Sequence, residues 1–245
     1  MNRGAEPGPQ HLQDALRGAR VDQGVFALRP DYRVLLLAVD GLPPGPGDAR
    51  SDGLLRAAED AARRMLTQQD AAGLPHVAAW REAYQSFGAK PSRTRNSLEA
   101  LMRRAATSGL PGVNRLTDIY NAVSVLHQVP LGGEDLSRYS GAPVLVRATG
   151  REPFATSARG EPVTEYPVPG EVVWRDDDGV TCRRWNWRQA TRTRLTEDTT
   201  TALFIFDALE PLSDDALDAA ADDLSTFLAG LGPGIGCARR RIAAG

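Results

Sequence analysis

Cysteine is nearly absent: the 245 residues hold two, Cys182 and Cys237, far apart and without a CxxC pair. That spacing argues against a disulfide framework and against a zinc cluster. Histidine is almost as scarce, with only His11, His76 and His127. No serine has an evident histidine partner, so a nucleophilic triad has nothing to rest on. Phosphate-loop, dinucleotide, zinc-protease, serine-hydrolase and calcium-loop motifs are all missing. Of the 29 basic residues only Lys90 is a lysine, a skew that fits a GC-rich coding bias and gives arginine counts little weight. A formal net charge of -2 speaks against a chain that coats nucleic acid through bulk positive charge. No apolar run approaches the roughly 18 residues of a membrane span. The opening "MNRGAEPGPQHLQDALRGAR" has no signal-peptide core either. The expectation is a soluble, cytoplasmic protein with no metal, no cofactor and no membrane partner.

What is present is an ordinary globular composition, 42% hydrophobic and 24% charged, in a chain long enough for a real core. Residues 1–20 are rich in Gly, Pro and Arg and are expected to be flexible, and 233–245 to form a tail, leaving 21–232 as the domain. "YRVLLLAVDGL" (Tyr32–Leu42) reads as a buried strand. Next comes a helix from near Gly53, capped by Asp52 or Ser51, then one in "HVAAWREAYQSFGAK". A further helix starts after Pro91, and another lies in "NRLTDIYNAVSVLHQV". From Ala142 the period changes, and "PVLVRAT", "GEVVWRD", "GVTCRRWNW" and "TALFIFDAL" read as strands. A last helix, capped by Ser213, runs to Leu228. Helices followed by strands predict an α+β fold, helices packed on a mostly antiparallel sheet. His76 is expected at the surface, and His127 to pair with a helix C-terminal dipole.

Two stretches concentrate unusual chemistry. "KPSRTRNS" gathers Lys90, Ser92, Arg93 and Arg95 at an expected helix entrance, where free amides favour an anion. It reads equally well as a solvated first turn. "CRRWNWRQATRTRLTEDT" sets Trp185 and Trp187 among five arginines. Strand alternation would send both indoles one way, beneath the last helix against Leu217, Leu224 and Leu228. Arg184, Asn186 and Arg188 would face the other way. Asn186, Arg188 and Gln189 would then line a cleft with Asp207, which ends the apolar "ALFIFD", and the "KPSR" cations would form an anion-binding edge to it.

The order of these segments resembles the B3/B4 domain of the phenylalanine–tRNA ligase β subunit, over roughly Asp31 to Leu209. "SGLPGVNRLTDIYNAVSVLHQVPLGGEDLSRYSG" is similar to the family's "GLRPINNVVDVTNYV" helix leading into "GQPLHAFDLDKLKG". "RQATRTRLTEDTTTALFIFDAL" is similar to "GGxxSxVTEDTxxVLLExA". Free-standing relatives share "WREAY.SFG.KPSR" and "RRWNWRQ". In the ligase this domain is an editing module that accepts the 3′ end of a mischarged tRNA and hydrolyses its ester. The resemblance implies that Asn121 matches a buried helix asparagine and Asp207 a substrate-binding glutamate. Gly132 stands where the family has histidine, and Arg188-Gln189 where it has two glycines. The implied activity is trans-acting deacylation of mischarged aminoacyl-tRNA. The alternative is a non-catalytic binder of tRNA 3′ ends or of an amino-acid-like ligand.

Overall fold

The run at Tyr32–Leu42 has to be covered on two sides. In β2 (Arg33–Asp40), Val34, Leu36 and Ala38 belong to one core while Leu35, Leu37 and Val39 belong to another. A strand apolar on both faces is stable only between two layers. The computed structural model, which describes residues 9–245, shows how the chain supplies them.

Before β2 come α1 (Gln10–Arg17), β1 (Arg20–Val21) and α2 (Gln23–Phe26). After it come α3 (Ala49–Met65), α4 (Pro75–Ser86), α5 (Ser97–Thr107) and α6 (Arg115–Leu126). The strand-rich half holds β3 (Leu131–Asp135), β4 (Val144–Arg147), β5 (Phe154–Ala158), β6 (Glu161–Glu165), β7 (Val172–Arg175), β8 (Val180–Arg183), β9 (Arg188–Gln189) and β10 (Ala202–Ala208). Then α7 (Asp214–Ala229) and β11 (Gly236–Ala243) close the chain.

One sheet, in the order β11-β2-β10-β3, is antiparallel throughout. On one face it packs against α6 and α7 through Phe204, Phe206, Leu217 and Leu224. On the other it meets a second sheet, β1-β4-β7-β8-β9, in which only the β1–β4 pair is parallel. Tyr32, Trp80, Trp174, Trp185 and Ile205 fill the space between the sheets. The β5–β6 hairpin covers the outer face of the second sheet with Phe154. Helices α3, α5 and α6 share a further core around Leu55, Met102 and Val125. The fold is α+β, with helices on a mostly antiparallel sheet.

Several boundaries differ from the expectations. Asp48, not Asp52 or Ser51, caps α3, and Ser51 instead closes a capping box back onto it. Residues 91–94 form a turn in which the amides of Arg93 and Thr94 donate to the Lys90 carbonyl (2.9 Å each). Asn96 therefore caps α5, which begins at Ser97. Within the segment expected to be flexible, residues 1–8 lie outside the described residues, but Gln10–Arg17 is a helix burying Leu12 and Leu16 in the inter-sheet core. The expected tail, 233–245, carries β11, paired with β2 from Gly236 to Ala243. His76 is buried rather than exposed. Its Nε2 accepts from Trp80 Nε1 and the Leu209 amide (3.1 Å each), so Nδ1 carries the hydrogen donated to the Gln128 carbonyl (2.8 Å). Burial lowers its pKa to about 4. His127 caps α6 at its C-terminal end and contacts Asp223 (2.8 Å).

Candidate functional site

A cavity of about 240 Å³ opens where β3 and β10 of the first sheet meet the β8–β9 turn of the second, beside α5 and α6. β10 alternates, so Leu203, Ile205 and Asp207 share the inter-sheet face while Phe204 and Phe206 face α7. Asp207 is therefore delivered to the cavity wall, only 2% exposed. Tyr32 Oη donates to its Oδ1 (2.6 Å) and Asn186 Nδ2 to its Oδ2 (3.3 Å). Asn186 Oδ1 in turn accepts from Tyr84 Oη (2.9 Å), which orients the amide. Burial raises the Asp207 carboxyl to about 7, against the hydrogen bonds from Tyr32 and Asn186. Trp174 Nε1 makes no hydrogen bond of normal geometry, yet its dipole also favours the charged form.

A second acid lines the same cavity. On β3, Gly132 and Glu134 point alike, and Glu134 is fully buried. Tyr139 Oη donates to its Oε2. Burial pushes this carboxyl up to about 7, with the hydroxyls of Tyr139, Thr181 and Thr193 opposing. Cys182 lines the cavity too, but burial and the neighbouring acids hold its thiol protonated. A neutral thiol is a poor nucleophile.

The expected strand through Trp185 and Trp187 is broken. Residues 184–187 form a turn, with Arg184 (φ 49°) and Trp185 (φ 67°) both left-handed, so alternation stops at Arg183. Trp185 is fully buried, edge-on to Tyr32 (5.0 Å) and Trp80 (5.3 Å). It lies between the sheets, not beneath α7, because Leu217, Leu224 and Leu228 belong to the core on the opposite face of the first sheet. Trp187 is half-buried, with the guanidinium carbons of Arg184 and Arg188 4.5 and 4.7 Å from its ring centre. No glycine betrays this turn in the sequence.

The structure brings Asn121, Gly132, Asn186, Arg188, Gln189 and Asp207 to one cavity. Arg188 is partly committed elsewhere, donating to Glu165 (2.5 Å) and stacking on Phe154. Gln189 Nε2 donates to the Gly133 carbonyl (2.8 Å), and a Cβ at Gly132 would approach that nitrogen to 3.1 Å. Gly132 thus makes room for Gln189. Lys90, Ser92, Arg93 and Arg95 are exposed, and none lines this cavity. Arg95 faces Glu99 (3.6 Å), while Lys90 and Arg93 border a separate depression. Ser97 reaches the cavity instead, its amide donating to the Asn186 carbonyl (3.1 Å). Sequence reasoning missed Glu134, Cys182, Tyr32, Tyr84 and Trp174. Glu134 was hidden because no strand is read at 131–135 from the sequence; with β3 in place, an acid two residues from Gly132 lies on the same face.

Among the described residues no group of His, Cys, Asp and Glu is arranged to hold a metal ion, and no helix is long and apolar enough to cross a membrane. No curated protein matches the chain. One solved structure similar to it is an N-terminal fragment of the phenylalanyl-tRNA synthetase β-subunit from Pyrococcus horikoshii, 15% identical with a TM-score of 0.44. That alignment covers 89% of this chain and 49% of the other, so this chain spans about half the length of that fragment. The profile of the B3/4 domain matches residues 79–223, more than half of the sequence and every residue that lines the cavity; Tyr32, which bonds Asp207 from behind, lies outside it. This chain belongs to the B3/4 domain family.

Proposed function

We propose that the cavity receives the aminoacyl end of a mischarged tRNA and hydrolyses its ester, in trans and in the cytoplasm. The observation that carries this reading is a buried carboxyl, Asp207, fixed from two sides on the wall of a cavity sized for one amino acid. Family membership supports the substrate, because the resemblance in sequence implies an editing module. An α-ammonium group placed against Asp207 draws its raised pKa down and is held as an ion pair. The ester is already activated, so an oriented water suffices. Water adds to the ester carbonyl, the oxyanion is met by the Asn186 amide, Arg188 or backbone amides, and the ribose oxygen leaves with a proton. Deacylation of a panel of mischarged tRNAs tests this, with Asp207→Asn expected to lose at least tenfold in kcat/KM.

One observation favours the second reading, a non-catalytic binder of tRNA ends or an amino-acid-like ligand. No histidine lines the cavity and its one thiol is held protonated. Tight binding of charged tRNA without release of amino acid would select that reading. Absence of both sinks the two together.

A further inference from the structure

Lys90 and Arg93 do not reach the cavity, and they have a different neighbourhood. With Phe87, Thr94, Val168, Glu171 and Arg184 they border a separate depression of about 330 Å³. Its charge is strongly one-sided. Neither the Lys90 nor the Arg93 side chain has a hydrogen-bond or ion-pair partner among the described residues, although most arginines here are paired. The single acid, Glu171, is already held by Arg183 through two 2.8 Å bonds. Arg184 adds a further cation, its Nε 3.7 Å from the same Glu171, and donates to Thr94 Oγ1. The turn at 90–94 presents Lys90 and Arg93 together.

Apolar surface lies beside these cations. Among the described residues three large hydrophobics are exposed, and two of them, Tyr166 (57%) and Val168 (64%), sit on the loop "YPVPG" between β6 and β7. Pro167 and Pro169 stiffen that loop, so Tyr166 and Val168 are held out rather than free to fold inward. Val168 lines the depression, so the loop that carries Tyr166 borders these cations. Unpaired cations with an exposed aromatic on a bordering loop are the ingredients of single-strand recognition, phosphates on the cations and a base on the ring.

The depression and the cavity share one thin wall. Arg184 borders the depression and stacks on Trp187, whose ring lines the cavity. Thr94 takes the Arg184 bond on one side, and Ser97 bonds the Asn186 carbonyl on the other. From this juxtaposition we infer that Lys90, Arg93, Arg184 and Tyr166 form a track for a single-stranded RNA 3′ end, whose terminal group crosses the wall at Trp187 into the cavity. The track rests on the reading that the cavity takes an RNA-linked amino acid. It adds where the backbone runs.

The probe is a fluorescein-labelled, uncharged oligoribonucleotide ending in CCA, followed by anisotropy across a salt series. Lys90→Glu with Arg93→Glu is expected to weaken binding at least tenfold. Replacing the pair by alanine should lower the salt slope by about 1.4, the release expected from two phosphate contacts on a single strand. Tyr166→Ala is expected to weaken binding about tenfold, within the range of one stacked base. The double reversal Arg56→Glu with Arg64→Glu, on the exposed side of α3, makes the same change in net charge and should leave affinity as in wild type. Equal weakening by both reversals overturns the track, as does an unchanged salt slope. Competition by poly-glutamate as strong as by RNA makes the surface a general anion patch and also overturns it. An adenosine 3′-aminoacyl ester without phosphate tests the cavity alone. If that ester is hydrolysed while RNA binding ignores Lys90 and Arg93, the track fails and the cavity reading stands. RNA binding that depends on them, with no ester turned over, gives the reverse.

Discussion

Asp207 is at once a buried carboxyl and a fixed polar group of the cavity wall, and its pKa separates the two experimentally. Asp207 and Glu134 titrate at about 7 in the folded chain, against the usual carboxylate range near 4. Between those values the folded state holds protons that the unfolded state has released. Their contribution to stability is therefore full below about pH 4 and declines as pH rises to about 7. Asp207→Asn removes this term at one site while keeping an acceptor for Tyr32. The variant should be more stable than wild type at pH 8, by up to about 4 kcal/mol, and should lose that advantage by pH 4. Urea melts at the two pH values check it, and a pH-independent difference would contradict the raised pKa. The two indoles part in the same way. Trp185→Ala should cost about 3–5 kcal/mol, the range for a fully buried aromatic. Trp187→Ala should cost no more than about 2 kcal/mol, since its ring is half exposed and chiefly stacks on two guanidiniums.

At the scale of elements, the strongest periodicities were read correctly and the irregular joints were not. β2, β10, α6 and α7 were legible because their apolar patterns are long and unambiguous. Of the six cavity residues named from the sequence, Asn186, Arg188, Gln189 and Asp207 follow from strand alternation and the end of "ALFIFD", while Asn121 and Gly132 come only through the resemblance. The β8–β9 turn was not, because Arg184 and Trp185 take left-handed backbone without glycine, held there by the burial of the Trp185 indole. His76 was missed because its partners come from far along the chain, Gln128 after α6 and Leu209 after β10. That histidine ties α4 to both joints, and its pKa of about 4 lies below the ordinary value of 6.5. The sign is opposite to that of the carboxyls: its contribution is full above about pH 6.5 and is lost as pH falls through about 4. His76→Leu leaves the Leu209 amide, the Gln128 carbonyl and the Trp80 indole N–H unpaired. A loss of at least about 3 kcal/mol at pH 7 is expected, from three buried groups left unmet at about 1–3 kcal/mol each. The difference from wild type should shrink below pH 5, as thermal melts across pH would show.

Across the whole molecule the largest unexpected feature is that the C-terminal segment is structural. "GCARRRIA" has a single large apolar residue, Ile242, so its strand character is hidden from a hydrophobic pattern. Its logic is charge. Arg239 pairs with Asp222, and Arg241 with Asp214 and Asp218, all on α7. Arg240 turns to the opposite face and donates to the Leu16 and Arg17 carbonyls at the end of α1. Ala238 and Ile242 share that opposite face and pack on the inter-sheet core. β11 therefore ties α1 to one side of β2 and α7 to the other while completing the edge of the sheet. Deleting 233–245 would bare the β2 edge, a long apolar strand with unpaired backbone groups open to association with other chains. It would also leave Asp218 and Asp222 without their arginines, while Asp214 keeps Arg33, and would uncover α1. Each exposed ion pair contributes less than about 1 kcal/mol. The edge and the lost packing dominate, and together they should cost more than about 3 kcal/mol. In a chain of this size that is a fall in Tm of roughly 6–12 °C, with concentration-dependent aggregation. Arg239→Ala with Arg241→Ala keeps the strand and removes only charge, so it should lower Tm by no more than about 4 °C. A truncated protein that melts like wild type would show that β11 lies on the sheet without supporting it.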